Sequence, residues 1–328
     1  MELAELKKIL KRLFKEYVRK HLNKLFLALG LSLIVAGSTS GIAWLLDPAV
    51  KKIFIDQDPV FAWSIPLLII IVFTSKGLSL YFARINLIRA GEEVAGELQK
   101  NIANNILVSD VQTLDNRHSG KYISNIMFDS HHVKSLVSTG VLNLMKDTFS
   151  VIALVTVMFY QNWKLASFAI LMMPLAGGLA KSLGKRISKA TTKAGDSSGN
   201  LATFLTEIFK GARMIRIYQK EGVENVKANK VIDDLVEKNI KIGSVIIRAT
   251  PLMEALTGVM IAGFIFFSGK LIATGELGIN NFFSFLTAMM LAYQPIRSLA
   301  TLNMVVYQGA AAFKRISDVI DKKITIDK

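Results

Sequence analysis

The fold is decided by one continuous stretch of the chain, residues 61–108, which reads FAWSIPLLIIIVFTSKGLSLYFARINLIRAGEEVAGELQKNIANNILV. Its first part, to about Ile85, is long and apolar enough to cross a hydrocarbon layer of about 30 Å. Its second part is polar but keeps a helical pattern, and no proline occurs from Leu67 to Lys134. At 1.5 Å per residue, one helix over these residues would be about 70 Å long. The stretch therefore predicts a membrane-spanning helix that projects far beyond the bilayer on one side.

Five further apolar blocks share the length of a membrane span. They cover approximately residues 22–46, 141–160, 163–183, 244–273 and 282–304. Hydrophobic residues make up 52% of the 328 residues and charged residues 20%, and the apolar residues are gathered into these blocks. We therefore predict an all-α membrane protein with six transmembrane helices and long cytoplasmic helical extensions.

The connections between the blocks differ in length and charge. Those after the first, third and fifth spans are short, at residues 47–60, 161–162 and 274–281. Those after the second and fourth spans are roughly sixty residues each, and the second of them is rich in lysine and arginine, at Lys185, Arg186, Lys189, Lys193, Lys210, Arg213, Arg216, Lys220, Lys227, Lys230, Lys238 and Lys241. Basic residues accumulate in cytoplasmic loops. We expect both long connections and both termini to face the cytoplasm.

The accumulation of basic residues in cytoplasmic loops also accounts for the net charge of +15. In a soluble protein this charge would suggest a nucleic-acid partner. We expect no nucleic-acid partner, because the interleaving of basic and aromatic residues that is typical of single-strand binding does not occur. The chain has no cysteine, which excludes disulfides and cysteine-ligated metal. His131 and His132 are consecutive on a predicted helix and point about 100° apart, so we predict a solvated surface there and no metal site.

The amino-terminal segment, residues 1–21, is a basic amphipathic helix in its pattern. Its apolar positions fall on one face, at Leu3, Leu6, Leu10, Leu13, Phe14, Tyr17 and Val18. Such a helix can lie in the headgroup region of an anionic leaflet. A solvated helix that leads into the first span fits the pattern equally well, and both interpretations stay open.

Three cationic residues interrupt the membrane spans: Lys76 in the second, Lys146 in the third and Arg297 in the sixth. Counted from the outer ends of their helices at Phe61, Asn162 and Asn281, each lies 15 or 16 residues in. That is about 23 Å of depth, within the inner half of the membrane. Two interpretations follow: the side chains snorkel to the headgroups from lipid-facing positions, or they line a cavity and bind an anionic headgroup. Glu254 in the fifth span could balance one of these charges.

The order of spans and several local motifs resemble the transmembrane domain of ABC exporters, from about Leu6 to Asp321. The segment LDNRHSGKYISN at residues 114–125, followed by Asp129, is similar to the first coupling-helix segment of that family, although Asn125 stands where the family commonly has arginine. The segment EIFKGARMIRIYQKE at 207–221 is similar to the second, and AAFKRISDVID at 311–321 to the approach to the ATPase domain. The resemblance places coupling helices near 110–116 and 214–221, with contact residues Asp110, Thr113, Leu114, Asp115, Arg216, Tyr218, Gln219 and Lys220.

This resemblance implies the type I (type IV) exporter fold, a domain-swapped dimer in which the fourth and fifth spans cross to the second copy. Residues 22–304 would form the transmembrane domain, and residues 305–328 would lead to a nucleotide-binding domain that binds ATP and Mg²⁺. The nearest phosphate-loop string, at residues 178–186, has the wrong spacing and Arg186 in place of serine or threonine. We expect no cofactor site and no ATPase site in these 328 residues; hydrolysis would depend on the nucleotide-binding domain.

The three cations sharpen the expected function. Lys76, Lys146 and Arg297 match basic residues of the lipid A flippase branch that hold glycolipid phosphates, with lysine and arginine exchanged at each position. The resemblance thus implies ATP-driven flipping of a phosphorylated lipid across a bacterial inner membrane, with membrane lipids as partners. A multidrug or peptide exporter is the alternative within the family. A proton-coupled secondary transporter is the alternative from another class, and should carry acidic residues deep in its spans.

Overall fold

The computed structural model describes residues 3–108 and 128–321, and every regular element in those ranges is helical. The helices are α1 (Leu3–Glu16), α2 (Leu22–Pro48), α3 (Pro59–Val108), α4 (Ser130–Ser135), α5 (Val141–Gln161), α6 (Trp163–Ile217), α7 (Glu221–Ala273) and α8 (Ile279–Ile320). A 3-10 turn, Val18–His21, joins α1 to α2, and π-helical segments follow α2 (Ala49–Ile55) and α4 (Leu136–Gly140).

The long helix predicted from residues 61–108 is confirmed by α3, which is continuous over 50 residues. One side of α3 is buried at helical spacing, at Ser79, Ala83, Leu87, Ala90 and Val94. Its other side exposes large apolar side chains over the membrane part, including Leu78, Tyr81 and Phe82. The small buried residues let α3 approach its neighbours closely, which is how helices associate in lipid.

Within the described residues, four helical segments are long and apolar enough to cross a membrane. They are Val18–Ile55, Pro59–Val108, Ser130–Gln161 and Glu254–Ala273. The other two predicted spans fall in the first part of α6 and the first part of α8. The prediction of six spans therefore stays a prediction, while the all-helical architecture with several apolar helices is confirmed.

The chain divides into two compact units. The first combines Met1–Leu171 with Phe264–Lys328 and contains α1 to α5, the outer ends of α6 and α7, and α8. One of its apolar clusters joins α1, α2, α3 and α8 through residues such as Leu13, Leu25, Leu87 and Phe313. A second cluster forms around Leu154, Leu165 and the stacked rings of Phe264 and Phe285.

The second unit, Met172–Gly263, contains the remainder of α6 and α7. The two helices form a hairpin whose turn includes Tyr218, Gln219 and Lys220. Gln219 has a φ of 48°, which allows the chain to reverse between two long helices. Ser197 donates a hydrogen bond of 2.6 Å to Asp234 and so ties α6 to α7.

Candidate functional site

Lys76 lies on the side of α3 that packs against protein. It precedes Ser79 and Ala83 by three and seven residues, which is the spacing of one helix face, and it is itself partly buried. Of the large exposed side chains nearby, Leu78 and Tyr81 lie on the other side of the helix, whereas Phe73, three residues before Lys76, lies on the same side as Lys76. Lys76 therefore lies at the border between the protein-packed side of α3 and its exposed apolar surface.

Lys146 lies beside the buried stripe of α5 and contacts an acidic neighbour. Its ammonium forms an ion pair with Asp147 Oδ1, and the Lys146 side chain is 20% exposed while that of Asp147 is 1% exposed. Lys146 is also close enough to Lys76 for the two charges to act on each other. The structure therefore brings two of the three predicted cations, from α3 and α5, within electrostatic reach of one another.

Arg297 lies on the exposed face of α8. The same face presents Met290, Gln294 and Tyr307, spaced at helical intervals. Within the part of the chain that the structure describes, the guanidinium of Arg297 has no ion-pair partner. Polar groups inside a membrane segment usually face a bundle interior or a water-filled cavity.

Each of the three cations lies a similar number of residues from the helix end that the sequence analysis assigns to the outer side of the membrane. Lys76 follows Pro59, the first residue of α3, by 17 residues, and Lys146 precedes Gln161, the last residue of α5, by 15. Arg297 follows Ile279, the first residue of α8, by 18. These counts correspond to depths of about 22–27 Å. Glu254, which the sequence suggested as a counter-charge, lies exposed in the second unit, whereas the carboxylate that contacts Lys146 is Asp147.

The sequence analysis missed this role of Asp147, although the adjacent pair of opposite charges was a signal. Consecutive helical residues point about 100° apart, so adjacency alone does not predict contact. The contact forms because the lysine side chain is long enough to fold back onto its neighbour.

The second coupling segment, residues 214–221, is exposed at the tip of the hairpin. It comprises the end of α6, the turn, and the first residue of α7. Arg216, Tyr218, Gln219 and Lys220 are all exposed, and Tyr218 is 65% exposed. The residues predicted for the first coupling segment, Asp110, Thr113, Leu114 and Asp115, lie outside the described residues.

Two ion pairs join the last part of α8 to distant parts of the chain. Arg315 donates to both carboxylate oxygens of Asp129, at 2.5 Å from Nη2 to Oδ1 and 3.1 Å from Nε to Oδ2, and this hydrogen bonding raises the pKa of Arg315. Arg12 on α1 donates to both oxygens of Asp321 at 2.5 and 2.7 Å and lowers the pKa of that carboxyl.

The apolar face of α1 packs against α8 next to this second pair. Leu6, Leu13 and Tyr17 are buried, and the Tyr17 ring meets the Phe313 ring edge to face at 5.8 Å. The amphipathic pattern predicted from the sequence is therefore present, and protein covers most of its apolar stripe. Phe14, at 46% exposure, remains uncovered.

A basic cavity of about 300 Å³ lies in the second unit between α6 and α7. It is lined by Arg186, Lys189, Ala190, Lys193, Lys238, Lys241 and Val245. Lys238 pairs with Asp234 at 3.1 Å, and the hydrogen bond from Ser197, followed by that from Lys238, lowers the pKa of Asp234. The basic residues that line this cavity belong to the connection that the sequence analysis predicts to lie in the cytoplasm.

Two sequence features have no active-site geometry. Residues 178–186, the string nearest to a phosphate loop, lie inside the continuous helix α6, where backbone amides bond within the helix and cannot surround a phosphate. The rings of His131 and His132 are 6.3 Å apart at 67°, and the first is exposed while the second is partly buried.

Comparison with known proteins assigns the family. The family model described as the ABC transporter transmembrane region matches residues 25–296, which is most of the chain and includes α2 to α7 and the first part of α8. The chain belongs to this ABC transporter family. It is an integral membrane protein, since this transmembrane region is built of apolar helices like those described above.

Several relatives of this transmembrane domain carry a functional name. A protein of Desulfotalea psychrophila named ATP-dependent lipid A-core flippase is 31% identical over 98% of this chain and 56% of its own length. A protein of Syntrophus aciditrophicus with the same name is 32% identical over 95% of this chain and 52% of its own length. One from Coxiella burnetii, also so named, is 23% identical over 90% of this chain and 50% of its own length. The chain thus spans about half the length of the curated relatives it matches.

Proposed function

We propose that this chain is the transmembrane domain of an ATP-driven exporter that flips a phosphorylated lipid, of the lipid A type, across a bacterial inner membrane. The observation that carries the proposal is that Lys76, Lys146 and Arg297 lie 15 to 18 residues from the ends of three different helices, which corresponds to a similar expected depth in the membrane. Phosphate groups are bound in proteins by charge-assisted hydrogen bonds from such side chains. Three relatives that are named ATP-dependent lipid A-core flippase support the same substrate class.

The surroundings of the three cations favour positions that line a cavity rather than positions that face lipid. Lys76 lies on the protein-facing side of α3, and Lys146 is mostly buried beside Asp147. Arg297 shares its exposed face with the polar residue Gln294. In the proposed arrangement these faces border a cavity that opens to the cytoplasm in one state and to the outer leaflet in the other.

The proposed assembly is a homodimer with six spans per chain, in which the fourth and fifth spans cross to the second copy. The division of the chain supports this, because the inner parts of α6 and α7 form a compact unit of their own. The exposed hairpin tip, with Arg216, Tyr218, Gln219 and Lys220, would be a coupling contact with a nucleotide-binding domain. The first coupling contact would come from residues 110–116. Both termini and both hairpin tips would lie in the cytoplasm.

ATP and Mg²⁺ would be bound by the nucleotide-binding domains, on the same polypeptide or a separate one. The long helices would carry the opening and closing of those domains to the membrane. The part of α3 beyond the hydrocarbon layer is long enough for this, because 50 helical residues span about 75 Å.

The test is translocation in proteoliposomes that contain this domain assembled with its nucleotide-binding domains. ATP should drive movement of a bis-phosphorylated glycolipid between leaflets, and removal of both phosphates should slow that movement at least roughly tenfold, since each well-formed contact to phosphate contributes about 1.5–3 kcal/mol. Equal rates for both lipids would contradict the proposal. ATP-dependent movement of apolar drugs without any phosphate preference would favour the multidrug alternative.

A further inference from the structure

The buried carboxylate of Asp147 lies next to Lys146, one of the three cations Lys76, Lys146 and Arg297 whose shared level we call the cation level. The proposed function does not use this carboxylate. Asp147 is 1% exposed, and its Oδ1 contacts the ammonium of Lys146. Its second oxygen, Oδ2, has no hydrogen-bond partner within the described residues. A carboxylate in such a site depends on its counter-charge, since removal from water is costly unless the charge is paired. Lys146 supplies that charge.

The same lysine is one of the cations proposed to bind phosphate. Lys146 and Lys76 are close enough to repel each other, and Asp147 offsets part of that repulsion in the empty site. A phosphate that binds Lys146 must draw the ammonium from Asp147 or share it with Asp147. In either case a second anion comes to lie beside a buried carboxylate whose Oδ2 has no donor of its own.

We infer that Asp147 is a built-in counter-ion that competes with the substrate phosphate for Lys146. The inference rests on the proposed function, because it assumes that Lys146 contacts phosphate. In the empty site Asp147 holds the lysine side chain and reduces the positive charge at this level. When the lipid is bound, Asp147 weakens the contact between Lys146 and the phosphate and so favours release of the lipid. Asp147 acts through Lys146 and is a specificity-determining residue that need not touch the lipid.

Competition between Asp147 and the phosphate predicts that removing the charge of Asp147 raises the affinity for a phosphorylated lipid. Asp147→Asn keeps the size of the side chain and removes its charge, so a phosphorylated lipid should bind more tightly, by roughly tenfold, because one charged hydrogen bond no longer has to be given up. Dissociation should slow by a similar factor. In a Lys146→Ala background, Asp147→Asn should leave affinity unchanged, since no ammonium remains for which to compete and a buried carboxyl without a counter-charge is neutral. Ser150→Ala, at a residue 3% exposed on the same buried stripe, is the matched control and should leave affinity unchanged.

The experiment measures binding and dissociation of a bis-phosphorylated and a dephosphorylated glycolipid with nanodisc-reconstituted protein. Inorganic phosphate, added in competition, distinguishes a site for free phosphate from a site that needs the lipid. Tighter binding by Asp147→Asn, abolished by Lys146→Ala, supports the inference. Unchanged or weaker binding by Asp147→Asn, while the wild type still prefers the phosphorylated lipid, overturns the inference and leaves the proposed function intact. A wild type without that preference overturns the proposed function itself.

A second measurement applies even if Asp147→Asn does not fold. In the absence of lipid, Lys146→Met leaves the buried carboxylate unpaired and should melt at a lower temperature than the double variant Lys146→Met/Asp147→Asn. A double variant that is no more stable than Lys146→Met would show that the two side chains are not a pair in the empty site, and the inference would then be wrong.

Discussion

Arg315 donates hydrogen bonds to both oxygens of Asp129, across 186 residues of sequence. Asp129 directly precedes α4, and Arg315 lies in the last part of α8. Both residues belong to segments that resemble functional motifs of ABC exporters: Asp129 ends the first coupling segment, and Arg315 lies in the approach to the ATPase domain. The pair therefore links two segments through which a nucleotide-binding domain would act on the membrane helices.

We expect Arg315→Met to destabilise the protein by about 1–3 kcal/mol, because it leaves the buried carboxylate of Asp129 without its charged donor. Chemical denaturation in detergent measures the effect. Lys314→Met is the matched control: its pair with Glu5 is 49% and 39% exposed, so its loss should change stability by less than about 1 kcal/mol. Equal effects of the two substitutions would contradict the assignment, and Asp129→Asn should recover part of the loss caused by Arg315→Met.

The attachment of α1 to α8 should depend on pH through Asp321. Arg12 lowers the pKa of this carboxyl below its ordinary 3.8 in the folded state. The contribution of the pair is therefore complete above the unfolded value and is lost as the pH falls through the lower folded value. Because the two side chains are 37% and 50% exposed, we expect no more than about 1 kcal/mol.

Spin labels on α1 and α8 report this attachment as a distance distribution. Wild type should keep one narrow distribution from pH 7 to pH 5. Asp321→Asn should broaden it at pH 7, and acid below pH 3.8 should do the same to the wild type. A distribution that Asp321→Asn leaves unchanged would mean that the apolar contacts of Leu13 and Tyr17 are sufficient alone.

The ends of α2 and α5 and the start of α8 should be held together by Ser284. Its hydroxyl accepts from Gln161 Nε2 at 2.9 Å and donates to the backbone oxygen of Ala43 at 2.7 Å. Ser284→Ala removes both of these hydrogen bonds at a fully buried position, so we expect a loss of about 0.5–2 kcal/mol. Ser167→Ala, which removes a hydroxyl that bonds only within its own helix, is the control. Thermal unfolding that does not separate the two variants would refute the role of Ser284.

Helix positions could be predicted from this sequence because the thickness of the hydrocarbon layer fixes the length of an apolar block. The block at 22–46 became Leu22–Pro48 and the block at 141–160 became Val141–Gln161. The common depth of Lys76, Lys146 and Arg297 followed from the same rule, since depth depends only on the count of residues along each helix.

Side-chain partners could not be predicted in the same way. Arg315 and Asp129 meet because α4 packs beside α8, and no local pattern encodes that. The amphipathic pattern of α1 predicted an apolar face, but lipid and protein cover such a face equally well, so the contact of Tyr17 with Phe313 needed the structure. Residues 110–116 lie outside the described residues, and the coupling roles of residues 110–116 and of residues 214–221 both stay predictions.

Tyr218 should contribute to the coupling between substrate binding and ATP hydrolysis, and contribute little to the stability of the fold. It is 65% exposed at the tip of the hairpin, so Tyr218→Ala should change the free energy of unfolding by less than about 0.5 kcal/mol. In the assembled transporter the same substitution should lower the stimulation of ATP hydrolysis by substrate. Ile240→Ala, at a residue 66% exposed but far from the tip, is the control. Full stimulation by the Tyr218 variant would contradict the proposed coupling contact.

The central claim, that Lys76, Lys146 and Arg297 hold the phosphates of a lipid headgroup, is tested most directly by binding. A bis-phosphorylated glycolipid and its dephosphorylated form are titrated against wild type, each of the three alanine variants, and Lys270→Ala, which removes a lysine near the outer end of α7. Each variant at the cation level should lose roughly tenfold or more in affinity for the phosphorylated lipid and little for the dephosphorylated one, with Lys270→Ala unchanged. If the three variants keep the wild-type preference for the phosphorylated form, the cations do not bind phosphate and the account is wrong.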